Sequence, residues 1–401
     1  MRVDALTRYD GGRREMWGAF GLGAIALALT GGGAIAAPRE AAHGYLFAFA
    51  YWLSLCLGAL LILSAFHASR ARWPTVLRRP LEVMAACCPL FAVLFLPVAL
   101  SMPLLFPWVD VSGELGSHAR QLLEHKRPYL NVPFFLLRAV FYFAVWGAVG
   151  GLLYRWSVRQ DAEPGISERG VRFTAWQRRL SAGALPGVVL CLSFASLDWL
   201  MSMEPLWQST VYALYVACGA VVAALSMVAV LASGARGAGE FGALMGAPHF
   251  LRLGTLLLAF VCLWAYCGYS QFMLIWVASL PEEVTWYRAR LDGGWLPVAV
   301  LLTVGHFVVP FFLLLSRRIK QSPRLLSGVA VGLLLMRAVD LYWLVVPALH
   351  PGRASFHWTC LSAWLGVGGL TVAACLALAR GGYLVPVRDP FLLHSLRVPK
   401  S

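Results

Sequence analysis

Ten apolar runs, each long enough to form a helix across a lipid bilayer, constrain this chain more than any motif in it. They lie near residues 17–36, 44–66, 81–101, 129–153, 181–203, 207–233, 253–278, 294–315, 325–346 and 357–379. A hydrocarbon core about 30 Å thick needs roughly 20 apolar helical residues, and an unpaired backbone amide cannot be left in lipid. The runs are too long and continuous for the strands of an outer-membrane barrel. The chain is therefore expected to be an all-α integral membrane protein. Its composition agrees: 60% of the 401 residues are hydrophobic and only 13% are charged, against about 25% charged in soluble domains.

Ten spans place both termini on one face, and basic residues mark that face as cytoplasmic. The termini together with loops 67–80, 154–180, 234–252, 316–324 and 380–401 hold 24 of the 33 Lys and Arg residues. The opposite face holds Arg39, Arg120, Lys126, Arg127, Arg288, Arg290 and Arg353. The net charge of +14 is thus a product of topology, spread over six segments, and does not point to nucleic acid. Residues 1–16 and 380–401 read as cytoplasmic tails around a membrane domain at 17–379. Ala34-Ile35-Ala36 before Ala37 resembles a signal-peptide cleavage site, but the preceding apolar run exceeds the usual 7–15 residues, so the first helix is expected to be retained.

All nine Cys lie inside apolar runs, and none is spaced Cys-x-x-Cys for zinc, iron–sulfur or covalent haem. Only His306 sits deep in a helix, with His67 at the inner end of helix 2 as a remote second ligand, so a hydrogen-bonded core histidine is expected in preference to a haem b site. There is no phosphate-binding loop, dinucleotide fingerprint or nucleophile elbow. No cofactor is expected on this chain, and any chemistry has to come from ionisable groups in the membrane.

Such groups are costly there and are functional candidates by default. They are Arg138 on helix 4, Asp198 on helix 5, and Arg337 and Asp340 on helix 9, with His306 on helix 8, Gln271 on helix 7, and Glu82 and His67 near the inner face. At 1.5 Å per residue, Asp198 lies about 8 Å below the outer end, Asp340 about 9, Gln271 about 10, Arg138 and Arg337 about 13, and His306 about 18. Arg337 and Asp340, three residues apart, share a helix face and can neutralise one another. Asp198 has no partner in its own helix and must be met by Arg138, by water or by a proton. Either a set of structural ion pairs or a proton path fits this pattern. Trp264, Tyr266, Tyr269 and Gln271 could line a quinone pocket, although aromatic runs also serve as interface belts.

Helices 5 and 9 run the same way, and each carries an Asp with Pro seven residues later: Asp198 with Pro205, and Asp340 with Pro347. This suggests two pseudo-repeated four-helix bundles, helices 2–5 (44–203) and 6–9 (207–346), flanked by helices 1 and 10. On that scheme Arg138 and His306 occupy matching helices. Gly147, Gly150 and Gly151 in helix 4 and Gly366, Gly368 and Gly369 in helix 10 are candidate small-residue faces for partner subunits.

Several blocks carry a family resemblance. They are His125-Lys-Arg-Pro-Tyr-Leu-Asn-Val-Pro-Phe-Phe-Leu-Leu-Arg138, Ser193-Phe-Ala-Ser-Leu-Asp-Trp-Leu-Met-Ser-Met-Glu-Pro205, Trp264-Ala-Tyr-Cys-Gly-Tyr-Ser-Gln-Phe272, and Leu280-Pro-Glu-Glu-Val-Thr-Trp-Tyr287 followed by Gly293-Gly-Trp295. Over about residues 44–350 the chain resembles ActF, a membrane subunit of bacterial alternative complex III, which is similar to the NrfD and polysulfide-reductase membrane subunits. The resemblance implies a ten-helix fold with two four-helix bundles, in the bacterial inner membrane, within a quinol:cytochrome c oxidoreductase of the respiratory chain. It implies as partners a paralogous ActC-type membrane subunit, an iron–sulfur subunit and c-type cytochrome subunits, which would hold the iron–sulfur clusters and haem c. Quinol is then the implied substrate of the complex. The ActC-type subunit is the better candidate for its site, leaving a proton path or scaffold role for this chain. A secondary transporter and an inert scaffold are the alternatives from other classes. A transporter of that kind usually has broken helices in matching repeat positions, and Pro89 and Pro97 of helix 3 have no counterpart in helix 7.

Overall fold

The computed structural model describes residues 8–110, 117–236 and 244–397, and all the regular elements among them are helical. Ten helices are long and apolar enough to span a membrane: α1 Arg13–Ala36, α2 Pro38–Ala68, α3 Trp73–Leu100, α4 Val132–Asp161, α5 Glu168–Met203, α6 Tyr212–Ala235, α7 Ala247–Ala278, α8 Gly293–Leu315, α9 Pro323–Ala348 and α10 Trp358–Ala379. The chain is a multi-pass integral membrane protein. Each span overlaps the apolar run expected for it; α4 and α6 begin three and five residues after their runs, at Val132 and Tyr212, while several others extend beyond the run into polar sequence.

Local sequence explains the irregular spans. In α3 the helix is interrupted at Cys87 and Phe95, just before Pro89 and Pro97, where a ring replaces the amide that the preceding turn needs. In α8 a π-helical turn covers Thr303–Val308, and such bulges concentrate at functional sites. Both α5 and α9 finish in a single 3-10 turn, Met201–Met203 and Val346–Ala348. By contrast α7 is unbroken.

Packing radiates from α2, which touches α1, α3, α5, α6, α9 and α10. Of its most apolar window 89% is buried by protein, against 22% for α1 and α8, so α2 is the core and the latter two lie on the outside of the helix bundle. The sequential neighbours among α2, α3, α4 and α5 are in contact and α5 returns to α2; α6, α7, α8 and α9 close on themselves in the same way. The sets meet where α2 crosses α6. There a Cβ on Gly58 would stand 2.0 Å from the Ala220 carbonyl oxygen, so only glycine permits this approach.

The small-residue faces expected to meet partner subunits are largely used within the chain. Gly366 and Gly369 pack on α1, Gly368 packs on Trp52, Gly150 lies against the Ala85 carbonyl and Gly147 against Pro89; only Gly151 opens onto free space. The physical reason is that α1 and α10, and α3 and α4, pack side by side within the chain, and their backbones close on one another wherever no side chain intervenes.

The segments that flank the membrane domain meet on the basic face. Tyr9 N donates to Gly382 O (2.8 Å) and Gly381 N to Tyr9 O (2.9 Å). Beyond α10 the segment to Arg397 docks on the helix ends: Asp389 pairs with Arg78 (2.7 Å), and Ser395 Oγ donates to Trp73 O (2.7 Å).

Candidate functional site

Two buried arginine–aspartate centres occupy the half of the molecule away from the termini. In the first, α4 brings Arg138 against Asp198 of α5. Nε and Nη2 donate to opposite carboxylate oxygens, each at 2.8 Å. Tyr142, one turn after Arg138, donates its hydroxyl to Asp198 Oδ2 (2.8 Å), and Arg138 Nη1 donates to Tyr129 O (2.9 Å). The guanidinium also lies 3.9 Å from the Tyr129 ring centroid and 4.4 Å from that of Phe134, a cation–π cradle that replaces part of its hydration. Asp198 is fully buried.

This centre sits beneath a vestibule on the face away from the termini. A cavity of about 550 Å³ is lined by Trp108, Arg120, Glu124, Arg127 and Asn131 among others. Trp108 Nε1 donates to Ser202 Oγ (3.2 Å), and Ser202 in turn donates to the Asp198 carbonyl. Next to it Lys126 Nζ donates to Pro205 O (2.7 Å); burial holds this ammonium below the ordinary lysine range.

In the second centre Arg337 and Asp340 pair along α9, Nη1 to Oδ2 at 2.6 Å. Tyr215 of α6 donates its hydroxyl to Asp340 Oδ1, and Arg337 Nη2 reaches Val216 O at 3.4 Å. Both charges are fully buried. Space for the guanidinium comes from Gly219, where a Cβ would lie 2.2 Å from Arg337 Nη1. Between α2, α5, α6 and α9 a cleft of about 40 Å³ is lined by Ser54, Ser196 and Arg337 with apolar neighbours, which is room for a water molecule.

Tyr215 also lines a cavity of about 630 Å³ between α7, α8 and the short helix Pro281–Leu291. Trp264, Tyr266, Tyr269 and Gln271 all border it, with Phe272, Tyr287 and Phe307. Tyr266 and Tyr269 are exposed on the lipid side, whereas Gln271 and Tyr287 are buried. Gln271 is held at both ends, accepting from Ser209 Oγ (2.9 Å) and donating to the Tyr287 oxygen (3.2 Å). Burial pushes the Tyr287 phenol up to about 12. Behind this wall His306, in the π-helical turn, stacks on Trp264 with centroids 4.0 Å apart and planes at 21°. His306 is fully buried, and neither ring nitrogen has a hydrogen-bond partner among the described residues. Among the described residues, then, His306 is held through its ring face on Trp264, and no protein group meets its ring nitrogens as expected for a hydrogen-bonded core histidine.

Glu82 and His67 belong elsewhere. Glu82 pairs with Arg78 (2.7 Å) and Arg79 (2.9 Å), and Arg79 with Asp161. Asp161 and Arg138 are the two ends of a stretch of α4 about 34 Å long, so this network lies across the membrane from the aspartate centres. His67, in the last turn of α2 on the same face, is buried with Nε2 unpartnered among the described residues.

Sequence reasoning missed the hydroxyl donors. Tyr142 was findable, since it follows Arg138 by one helical turn and shares its face. Tyr215, Ser209 and Tyr287 carry no comparable signal. Among the described residues no group of three or more His, Cys, Asp or Glu side chains could hold a metal ion. Compared with protein-family models and with curated proteins, the chain matches none.

Proposed function

We propose that this chain is a membrane subunit of a respiratory quinol:electron acceptor oxidoreductase, in the bacterial inner membrane with both termini cytoplasmic, and that its aspartate centres handle protons on the outer side. The resemblance to ActF supplies the complex and the partners, namely an ActC-type subunit, an iron–sulfur subunit and c-type cytochromes. The observation that carries the proton role is that each helix set buries an Asp near the end of α5 or α9 with an Arg and a Tyr hydroxyl on it, both from α4 in the first set, and from α9 itself and α6 in the second. The two closed helix sets, and the 3-10 turns that end both α5 and α9, support reading these as pseudo-repeats. Within each centre the carboxylate takes up a proton from water and releases it to water, the Arg stabilises its ionised form between transfers, and the Tyr hydroxyl stays protonated and orients the carboxylate through its hydrogen bond. The vestibule above Asp198 and the 40 Å³ cleft beside Arg337 supply the water-sized steps.

The test is Asp198→Asn and Asp340→Asn in the assembled complex, reading protons released per electron and quinol turnover. Loss of either quantity in at least one variant is expected. Wild-type values for both variants would leave only the scaffold reading.

A second reading, a quinone site in this chain, is favoured by the 630 Å³ cavity, whose aromatic walls converge on Gln271, Tyr287 and Tyr215. Sites for flat amphiphiles have this form, apolar walls with a few fixed polar groups. Photolabelling with a quinone analogue should then mark α7, and marking of the paralogous subunit alone would remove the reading. The unbroken α7 counts against a transporter built on matched broken helices.

A further inference from the structure

On the face that carries both termini, a cavity of about 430 Å³ opens between the end of α2, the start of α5 and the docked C-terminal segment. Its rim carries Arg70, Arg72 and Arg178, all exposed. None of the three has an acidic partner among the described residues; Arg72 instead lies 5.5 Å from the Phe391 ring centroid. The carboxylates of Glu82, Asp161 and Asp389 are engaged by buried arginines, of which Arg78 also lines the cavity. Arg78 holds Glu82 and Asp389, and Arg79 holds Glu82 and Asp161. Two arginines and three carboxylates leave that set at −1, so the three rim arginines bring the neighbourhood to +2.

Apart from His67, Arg78 and Thr174 the remaining lining is apolar, including Phe66, Val171, Ala175 and Phe391. Thr174 adds a hydroxyl that accepts from Gln160 Nε2 (2.8 Å) and keeps its own proton free to donate. Depth matters as much as charge. Arg178 lies about 38 Å along α5 from its far end, Met203, several ångströms more than the roughly 30 Å of the hydrocarbon core. The rim therefore stands at the level of the lipid phosphates, and the apolar wall faces the first acyl carbons.

We infer that this cavity binds the phosphate of an anionic phospholipid, with Arg70, Arg72 and Arg178 on the headgroup and the Phe66–Val171–Ala175 wall on the glycerol and upper acyl chain. A free phosphate would satisfy the arginines and leave the apolar wall uncovered. Bound lipid would bridge α2, α5 and the C-terminal segment, which contribute Arg70, Arg178 and Phe391 respectively. This inference depends on the ten-span fold and not on the proton role.

Native mass spectrometry of the detergent-purified full chain tests it, with phosphatidylglycerol, phosphatidylcholine and inorganic phosphate added separately and in competition. Retention of one phosphatidylglycerol per chain is expected. The Arg70→Gln/Arg72→Gln/Arg178→Gln variant should bind it about tenfold more weakly or worse, since each interfacial arginine contributes substantially. The corresponding triple Lys variant and an Arg13→Gln/Arg14→Gln variant, which alters α1 away from the cavity, should retain it. Should the triple Gln variant fail to fold, Arg178→Gln alone gives the same comparison. Equal retention in the Gln variants, equal retention of phosphatidylcholine, or displacement of the lipid by inorganic phosphate at equal concentration would each overturn the assignment.

Discussion

Arg138 and Asp198 meet across α4 and α5 through two parallel hydrogen bonds of 2.8 Å, the guanidinium edge matched to the carboxylate edge. Arg337 and Asp340, by contrast, share one helix and one short bond, and the second Asp340 oxygen takes a tyrosine from α6. The first pair ties two helices together, whereas the second neutralises itself within α9 and borrows a neighbour's hydroxyl. Their consequences for stability and function differ accordingly.

Asp198→Ala should destabilise the protein by about 3–5 kcal/mol, because it strands a buried guanidinium. Replacing both partners, as Arg138→Met with Asp198→Leu, should recover most of that loss while abolishing any proton role. Chemical unfolding in detergent measures the first effect and assembly into the complex the second. A single alanine variant as stable as wild type would show that Arg138 finds other compensation.

Gly58→Ala should cost about 1–3 kcal/mol, since its Cβ would meet the Ala220 carbonyl at 2.0 Å and force α2 from α6. Gly328→Ala in α9, where no atom lies within 4 Å, should stay within about 0.5 kcal/mol of wild type. Equal effects of the two would mean that the α2–α6 crossing relaxes freely. Thermal unfolding of the two variants side by side decides it.

Accessibility labelling checks the topology. Arg172→Cys at the start of α5 should react with a membrane-impermeant maleimide only after the membrane is opened, and Arg288→Cys should react in intact cells. All nine native cysteines are buried or half-buried, so the background is low. Labelling of both from the same side would contradict ten spans with the basic face inside.

Alkaline stability should carry the mark of Tyr287. Its folded-state value is raised to about 12 from 10.0 by burial, so the folded state favours the neutral phenol. That contribution is complete below pH 10 and is lost as pH rises from there through the folded value, by up to about 3 kcal/mol. Tyr287→Phe should therefore lose less stability than wild type between pH 9 and about 12. Parallel alkaline losses would place the titration on other tyrosines.

Much of this architecture was legible before any coordinates. The ten spans follow from run length, because in lipid each helix must satisfy its own backbone locally. The intramembrane charges stand out for the same reason, and the Arg337–Asp340 pair follows from a spacing of three. Helix lengths were underestimated wherever a helix continues into polar sequence, as in α5, which begins at Glu168 although the apolar run starts near 181.

The sequence by itself determined that this is a ten-span membrane protein with a few ionisable residues that must be neutralised, since hydrophobic length and the cost of a buried charge are properties of a segment. Only the tertiary structure decided how they are neutralised. Arg138 reaches Asp198 over 60 positions and Tyr215 reaches Asp340 over 125, and the packing that places Tyr215, Gln271 and Tyr287 around one cavity leaves no local trace. A hydrogen bond depends on angles and distances within a few tenths of an ångström. Helix crossings such as the one at Gly58 set those distances, and the residues that control a crossing stand far along the chain from the groups that benefit.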